Sequence, residues 1–197
     1  QNELQEVFVF QEIMEFKDPE TGSEILILPA EQTSFSVMID FETTVLGTQN
    51  ATLENIEDFA DQIAPARTFS FLHELEQLLD HGLIKGGDLN NAIVYVDQPL
   101  ANANMDRLLK AFGKDKISVK PNGILDNLKL NYTNEAARHK LLDLIGDLAL
   151  AGMPIQGKII ATKPGHKINT NLAKEIVQTI KIKKKAPAPV VDFNRPP

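Results

Sequence analysis

The first part of the chain alternates short apolar runs with turn material. VFVFQEIMEF, SEILILPA and SFSVMIDFE are rich in Val, Ile and Phe and are separated by segments such as Lys17-Asp-Pro-Glu-Thr-Gly22, which predicts strands arranged as an antiparallel meander. After Gly47 the period changes. In LENIEDFADQI, Leu53, Ile56, Phe59, Ala60 and Ile63 recur at helical spacing as far as Pro65, so a core-packing helix is expected there. RTFSF then leads into LHELEQLLDHG, where Leu72, Leu75, Leu78 and Leu79 keep the helical period until Gly82, and the strand-like NAIVYV follows Gly86-Gly87. Together these segments have the size and order of a βαβ element.

Residues 98–131 are polar and Gly-containing around a short apolar stretch and are assigned to loops. EAARHKLLDLIGDLALAG is the strongest helical pattern in the chain, opened by Thr133 or Asn134 and closed by Gly152 and Pro154. GKIIATK reads as a strand that runs through Pro164-Gly165 to His166, and a last helix, NLAKEIVQTI, is expected after the capping candidates Asn169 and Thr170. The sum is an α+β fold: a two-layer sandwich of a mixed, mainly antiparallel sheet packed on helices, with a small βαβ insert.

Composition narrows the chemistry. The chain has 197 residues and no cysteine, so thiol nucleophiles and disulfides are excluded, and any metal must be held by His, Asp or Glu. Imidazole can come only from His73, His81, His139 and His166. No apolar run is long enough for a membrane span and QNELQEVFVF lacks the layout of a signal peptide, which favours a cytoplasmic protein. The net charge of -7 is uneven: Lys181, Lys183, Lys184, Lys185 and Arg195 near the end face only Asp192, leaving -11 for residues 1–177. An acidic body disfavours nucleic acid as a partner. The Lys-rich and Pro-rich stretch 181–197 reads as an extended linker, and the chain as part of something longer.

Chemistry concentrates on the strong helix. Leu141, Leu142, Leu144, Ile145 and Leu148 form its apolar side, while His139, Asp143 and Asp147 recur every fourth residue. Each successive member lags by only about 40°, so the three share one stripe. An imidazole and a carboxylate one turn apart can hold one cation together; spacing alone reads more simply as a solvated charge pair. His166, after Pro-Gly at a strand-to-helix junction, stands where functional side chains often sit. His73 and His81 lie among charged neighbours and are set aside as ligands.

RTFSFLHELEQLLDHGLIKGGDLNNAIV, RHKLLDLIGDLALAG and KPGHKINTNLA, in this order and at these distances, closely resemble the C-terminal half of the UDP-3-O-acyl-N-acetylglucosamine deacetylases, zinc amidases of lipid A biosynthesis. The resemblance covers roughly residues 24–180. It implies two similar α+β domains enclosing an active site, with residues 1–180 of this chain as the second and residues 67–96 as its insert. It further implies His139 and Asp143 as zinc ligands, Asp147 as the partner of His166, and His166 as the acid that stabilises the oxyanion and protonates the leaving amine. Lys140 would lie near the sugar and diphosphate, and Thr68 would donate to the tetrahedral intermediate. Phe69 and Phe71 would contact substrate, and Leu75, Ile84, Gly87 and Ala92 would line a passage for the hydroxyacyl chain.

The same resemblance puts the third zinc ligand and the general base on a first domain that no segment here matches, so this chain alone is expected to bind zinc weakly and to be inactive. Residues 181–197 resemble the linker of the Bacteroidetes-type fusion, which leads to a 3-hydroxyacyl-acyl-carrier-protein dehydratase. The expected partners are thus the UDP-sugar substrate, the first deacetylase domain and the fused dehydratase. The alternative from another class is a non-catalytic α+β binding or assembly module. In it the stripe is merely solvated, and His166 lies scattered from it.

Overall fold

The computed structural model describes residues 7–81, 91–98, 109 and 118–185. Its main sheet has five strands: β2 (Met14–Asp18), β3 (Ser23–Leu28), β4 (Ser34–Asp40), β5 (Thr48–Leu53) and β9 (Lys158–Thr162), in the order β2-β3-β9-β4-β5. One face of it is apolar at every second residue. Ile25 and Ile27 of β3, Val37 and Ile39 of β4, Ala51 and Leu53 of β5, and Ile159 and Ala161 of β9 are all buried there, the period that a half-buried sheet requires.

Two helices contribute to this core, α3 (Glu135–Ala149) and α4 (His166–Lys185). In α3 the buried apolar set is Ala136, Ala137, Leu141, Leu144 and Leu148; in α4 it is Ile168, Leu172, Ala173 and Ile176. Both sets follow the three-and-four spacing of a single helical face. Sheet and helices make the expected two-layer α+β sandwich. A short parallel pair, β1 (Phe8–Val9) with β8 (Ile155–Gln156), lies outside the main sheet. The βαβ unit is also present: β6 (Thr68–Phe71) and β7 (Ala92–Tyr95) run parallel, with α2 (Leu72–Asp80) between them in sequence. Among the described residues no helix is long and apolar enough to cross a membrane.

Three expectations need correction. The meander is interrupted, because β9 lies between β3 and β4, antiparallel to the first and parallel to the second. Ile159 and Ala161 are fully covered there, which rewards a central place over an edge. TQNATL is a strand, β5, although only Ala51 and Leu53 point inward and its outward positions are polar. With Leu53 drawn into β5, the helix expected over LENIEDFADQI shrinks to a 3-10 turn at Ile56–Asp58 and α1 (Phe59–Gln62). Finally, α4 starts at His166 rather than after Thr170. The Asn169 N–H donates to the Gly165 carbonyl at 3.1 Å and the Thr170 hydroxyl to the His166 carbonyl at 2.6 Å, so neither side chain caps the helix.

Candidate functional site

The apolar face of α3 is committed to the core, and helical geometry then sets His139, Asp143 and Asp147 along one neighbouring stripe. That stripe is mostly covered: their side chains keep 17%, 14% and 15% of their surface exposed. A solvated charge pair would be far more open. His139 Nδ1 lies 3.2 Å from the Ala66 carbonyl, which can only accept, so Nδ1 carries a hydrogen and Nε2 is the nitrogen left to face a ligand. Nε2 faces Asp143 Oδ1 at 3.5 Å. The gap is close to the about 3.4 Å between two ligands of a tetrahedral ion held at about 2.1 Å. Asp143 Oδ2 accepts from Lys140 Nζ at 3.2 Å, which orients the carboxylate. Among the described residues no three His, Cys, Asp or Glu side chains stand close enough to hold one ion.

The carbonyl that orients His139 is itself anchored. The next residue, Arg67, donates to Glu135 Oε1 from its backbone N–H at 3.0 Å and from Nε at 2.8 Å, and to Oε2 from Nη2 at 3.1 Å. The Asn131 N–H adds a fourth bond at 2.7 Å. Burial of Glu135 would raise its pKa, but these hydrogen bonds, led by the Arg67 side chain, outweigh that and hold the carboxyl below its ordinary 4.5. Neither Arg67 nor Glu135 was singled out as a site residue. An acid in the first turn of the strongest helix is the one local signal that points to it.

At the other end of the stripe, His166 Nδ1 lies 2.8 Å from Asp147 Oδ2. His166 is the first residue of α4 and its side chain is 69% exposed, so Asp147 is the contact that restrains the ring. The same Asp147 Oδ2 accepts from Asn169 Nδ2 at 3.0 Å. Asn169, fully buried, entered the sequence reading only as a helix cap. His139, Asp143, Asp147 and His166 thus join as two adjacent pairs along one helix stripe, and do not scatter.

Around this stripe stand the remaining candidates. Thr68 is exposed at the start of β6 and pairs in register with Ala92 of β7. Phe69 is half-buried and lies 5.7 Å from Lys140 Nζ by its ring centre. Phe71 is buried behind it, stacked on His73 and packed against Phe41 and Tyr95; its 5% exposure makes it part of the wall's support. Burial in this aromatic cluster pushes the Tyr95 phenol up to about 12. Leu75 on α2 is half-buried, while Ile84 and Gly87 lie outside the described residues. Phe41, not anticipated, is 39% exposed and packs edge-on against Phe69 at 5.4 Å.

A hollow of about 430 Å³ opens beside Lys140, lined also by Ser23, Asp40, Phe41, Glu42 and Lys163. Lys163 Nζ is held there by Glu42 Oε1 at 3.1 Å. Another hollow of about 420 Å³, between Phe35, Ile56, Ile145, Leu148 and Met153, has no titratable group in its lining. Of these two, only the first has charged groups in its wall, Lys140 among them.

Comparison with known proteins shows what the chain is similar to. The profile of the family described as UDP-3-O-acyl N-acetylglycosamine deacetylase matches residues 1–117 and 108–178. A bifunctional enzyme LpxC/FabZ of Bacteroides thetaiotaomicron is 42% identical over 197 residues, covering 100% of this chain and 42% of that protein. One of the same description from Porphyromonas gingivalis is 46% identical over 190 residues, 96% of this chain and 41% of its own length. A UDP-3-O-acyl-N-acetylglucosamine deacetylase of Nostoc sp. is 36% identical over 157 residues, 78% of this chain and 47% of its own. The chain thus spans less than half the length of these relatives. The profile match and these identities show the family: the chain belongs to the UDP-3-O-acyl-N-acetylglucosamine deacetylase family.

Proposed function

We propose that this chain supplies one half of a zinc-dependent amidase that removes the N-acetyl group from UDP-3-O-(3-hydroxyacyl)-N-acetylglucosamine, a step of lipid A biosynthesis in the cytoplasm. Residues 1–180 form the second deacetylase domain, residues 67–96 its insert, and residues 181–197 the linker toward a fused dehydratase; the bifunctional relatives support the fusion. The observation that carries the reading is the pair His139 Nε2 and Asp143 Oδ1, 3.5 Å apart, with the other imidazole nitrogen tied to a carbonyl. That donor set fits zinc. His139 and Asp143 would hold it, with a third ligand from the first domain.

Zinc, when bound, supplies an electrophile and a water that ionises near neutrality. The rest falls to this chain's own groups. His166, backed by the Asp147 carboxylate at 2.8 Å, is an imidazole able to stabilise the oxyanion and hand a proton to the leaving amine. Thr68, exposed at the start of β6, is free to donate its hydroxyl to the tetrahedral centre. Lys140 and the exposed face of Phe69 orient the sugar and its diphosphate. Leu75 and Ala92 contribute apolar lining for the acyl chain.

The test is reconstitution. This chain, mixed with a separately produced first deacetylase domain and zinc, should hydrolyse the UDP-sugar, and the activity should vanish with His166→Ala. Folded partners that associate yet release no acetate, or activity that survives His166→Ala, would overturn the assignment.

A further inference from the structure

We propose that Asn169 is a positioning residue: it holds the Asp147 carboxylate in the one orientation that keeps the exposed His166 ring in place. This rests on the proposed role of His166 for its kinetic consequence, but its structural core does not. His166 and Asn169 are three residues apart in the first turn of α4, so their side chains share a face. Both reach the same atom, Asp147 Oδ2, at 2.8 and 3.0 Å. A carboxylate oxygen accepts only, which fixes Asn169 with its amide N–H pointing at Asp147. The amide oxygen is then left buried without a hydrogen-bond partner among the described residues. Packing alone does not explain this. A leucine would fill the space without an unsatisfied polar atom, and a structural asparagine would be expected to satisfy both ends of its amide.

The consequence follows from the unequal exposure of the two donors. With its side chain 69% exposed, His166 can exchange its bond to Asp147 for bonds to water; Asn169, fully buried, cannot. Asn169 therefore keeps the carboxylate from turning when the ring leaves, and the ring finds its acceptor in the same place when it returns. The device links α3 to α4 at a single oxygen and gives the exposed His166 one preferred seat.

The test reads His166 directly. In this chain, nitrogen NMR of the four imidazoles should show His166 with Nδ1 carrying the hydrogen, the form that Asp147 selects. In Asn169→Leu the His166 signals should move to the mixed tautomers of a free imidazole while the other three histidines stay in place. In the reconstituted enzyme, kcat should fall roughly tenfold, part of the about 10²–10⁴ that a placed general acid supplies, with KM changed less than about twofold. Should Asn169→Leu fail to fold, Asn169→Ala removes the same donor without adding bulk. A folded Asn169→Leu or Asn169→Ala chain whose His166 keeps the wild-type tautomer would overturn the proposal. A lost tautomer with unchanged kcat would keep the positioning and instead count against His166 as the acid.

Discussion

The two ends of α3 hold their imidazoles in opposite ways. At the N-terminal end His139 is covered, its Nδ1 faces a backbone carbonyl, and that carbonyl precedes an arginine locked by three bonds onto a buried glutamate. At the C-terminal end His166 is mostly in water and is held through one carboxylate oxygen. A metal ligand gains from rigidity, because movement of a few tenths of an ångström weakens every bond to the ion. A proton donor must reach a leaving group, release a proton and recover one from solvent, and for this exposure is an advantage. In the proposed function the same helix stripe would serve both needs by burying one end and opening the other.

The contrast can be broken most severely at Glu135. Glu135→Ala removes an acceptor of four hydrogen bonds and leaves the Arg67 guanidinium, 23% exposed, without its counter-charge. Breaking such a pair from one side costs about 3–5 kcal/mol, a fall in melting temperature of roughly 10 °C for a chain of this size. Denaturant and thermal unfolding of the isolated chain check it. Affinity for zinc in the reconstituted enzyme should drop as well, because the Ala66 carbonyl loses its anchor. A variant as stable as the wild type would mean that the covered end is rigid for another reason.

A smaller effect comes from acid. Glu135 has a folded pKa below its ordinary 4.5, so below that value the unfolded chain binds more protons and stability falls with pH. The contribution is complete above about pH 4.5 and is lost as the pH drops through the lower, folded value. Asp18 is also held low through its hydrogen bond with Lys167, but that lysine side chain is 60% exposed, so the pair should add little. Urea midpoints measured between about pH 6 and about pH 3 should therefore decline in the wild type and decline less steeply in Glu135→Gln. Equal slopes would remove Glu135 from the account.

What could be read from the chain beforehand follows the range of the interactions. The α3 stripe was legible because fifteen residues of unbroken period fix which side chains share a face. The βαβ unit was legible because its strands lie close in sequence. The position of β9 was not, since its pairing with β4 joins residues more than 120 apart and no local pattern names the partner. Arg67 and Glu135, 68 residues apart, escaped for the same reason. Asn169 escaped differently: as a cap it had a ready local meaning, and only the tertiary contact with Asp147 shows that the side chain is engaged elsewhere. The stripe's burial, which separates a ligand pair from a solvated one, was beyond spacing altogether.

The smallest expected effect is the most discriminating. His166→Ala should leave the stability of the chain within about 0.5 kcal/mol, the usual range for a surface change. The ring buries little, and Asp147 keeps its bond from Asn169 at 3.0 Å. Activity in the reconstituted enzyme should nevertheless be abolished. A residue that matters little for folding and decisively for turnover is the mark of the open end. His139→Ala should differ in kind: it removes a covered side chain bonded to Ala66, so stability and zinc affinity should fall together. If the two alanine variants lost stability equally in denaturant titrations, the ends of α3 would be equivalent, and exposure would have no bearing on which imidazole handles the proton.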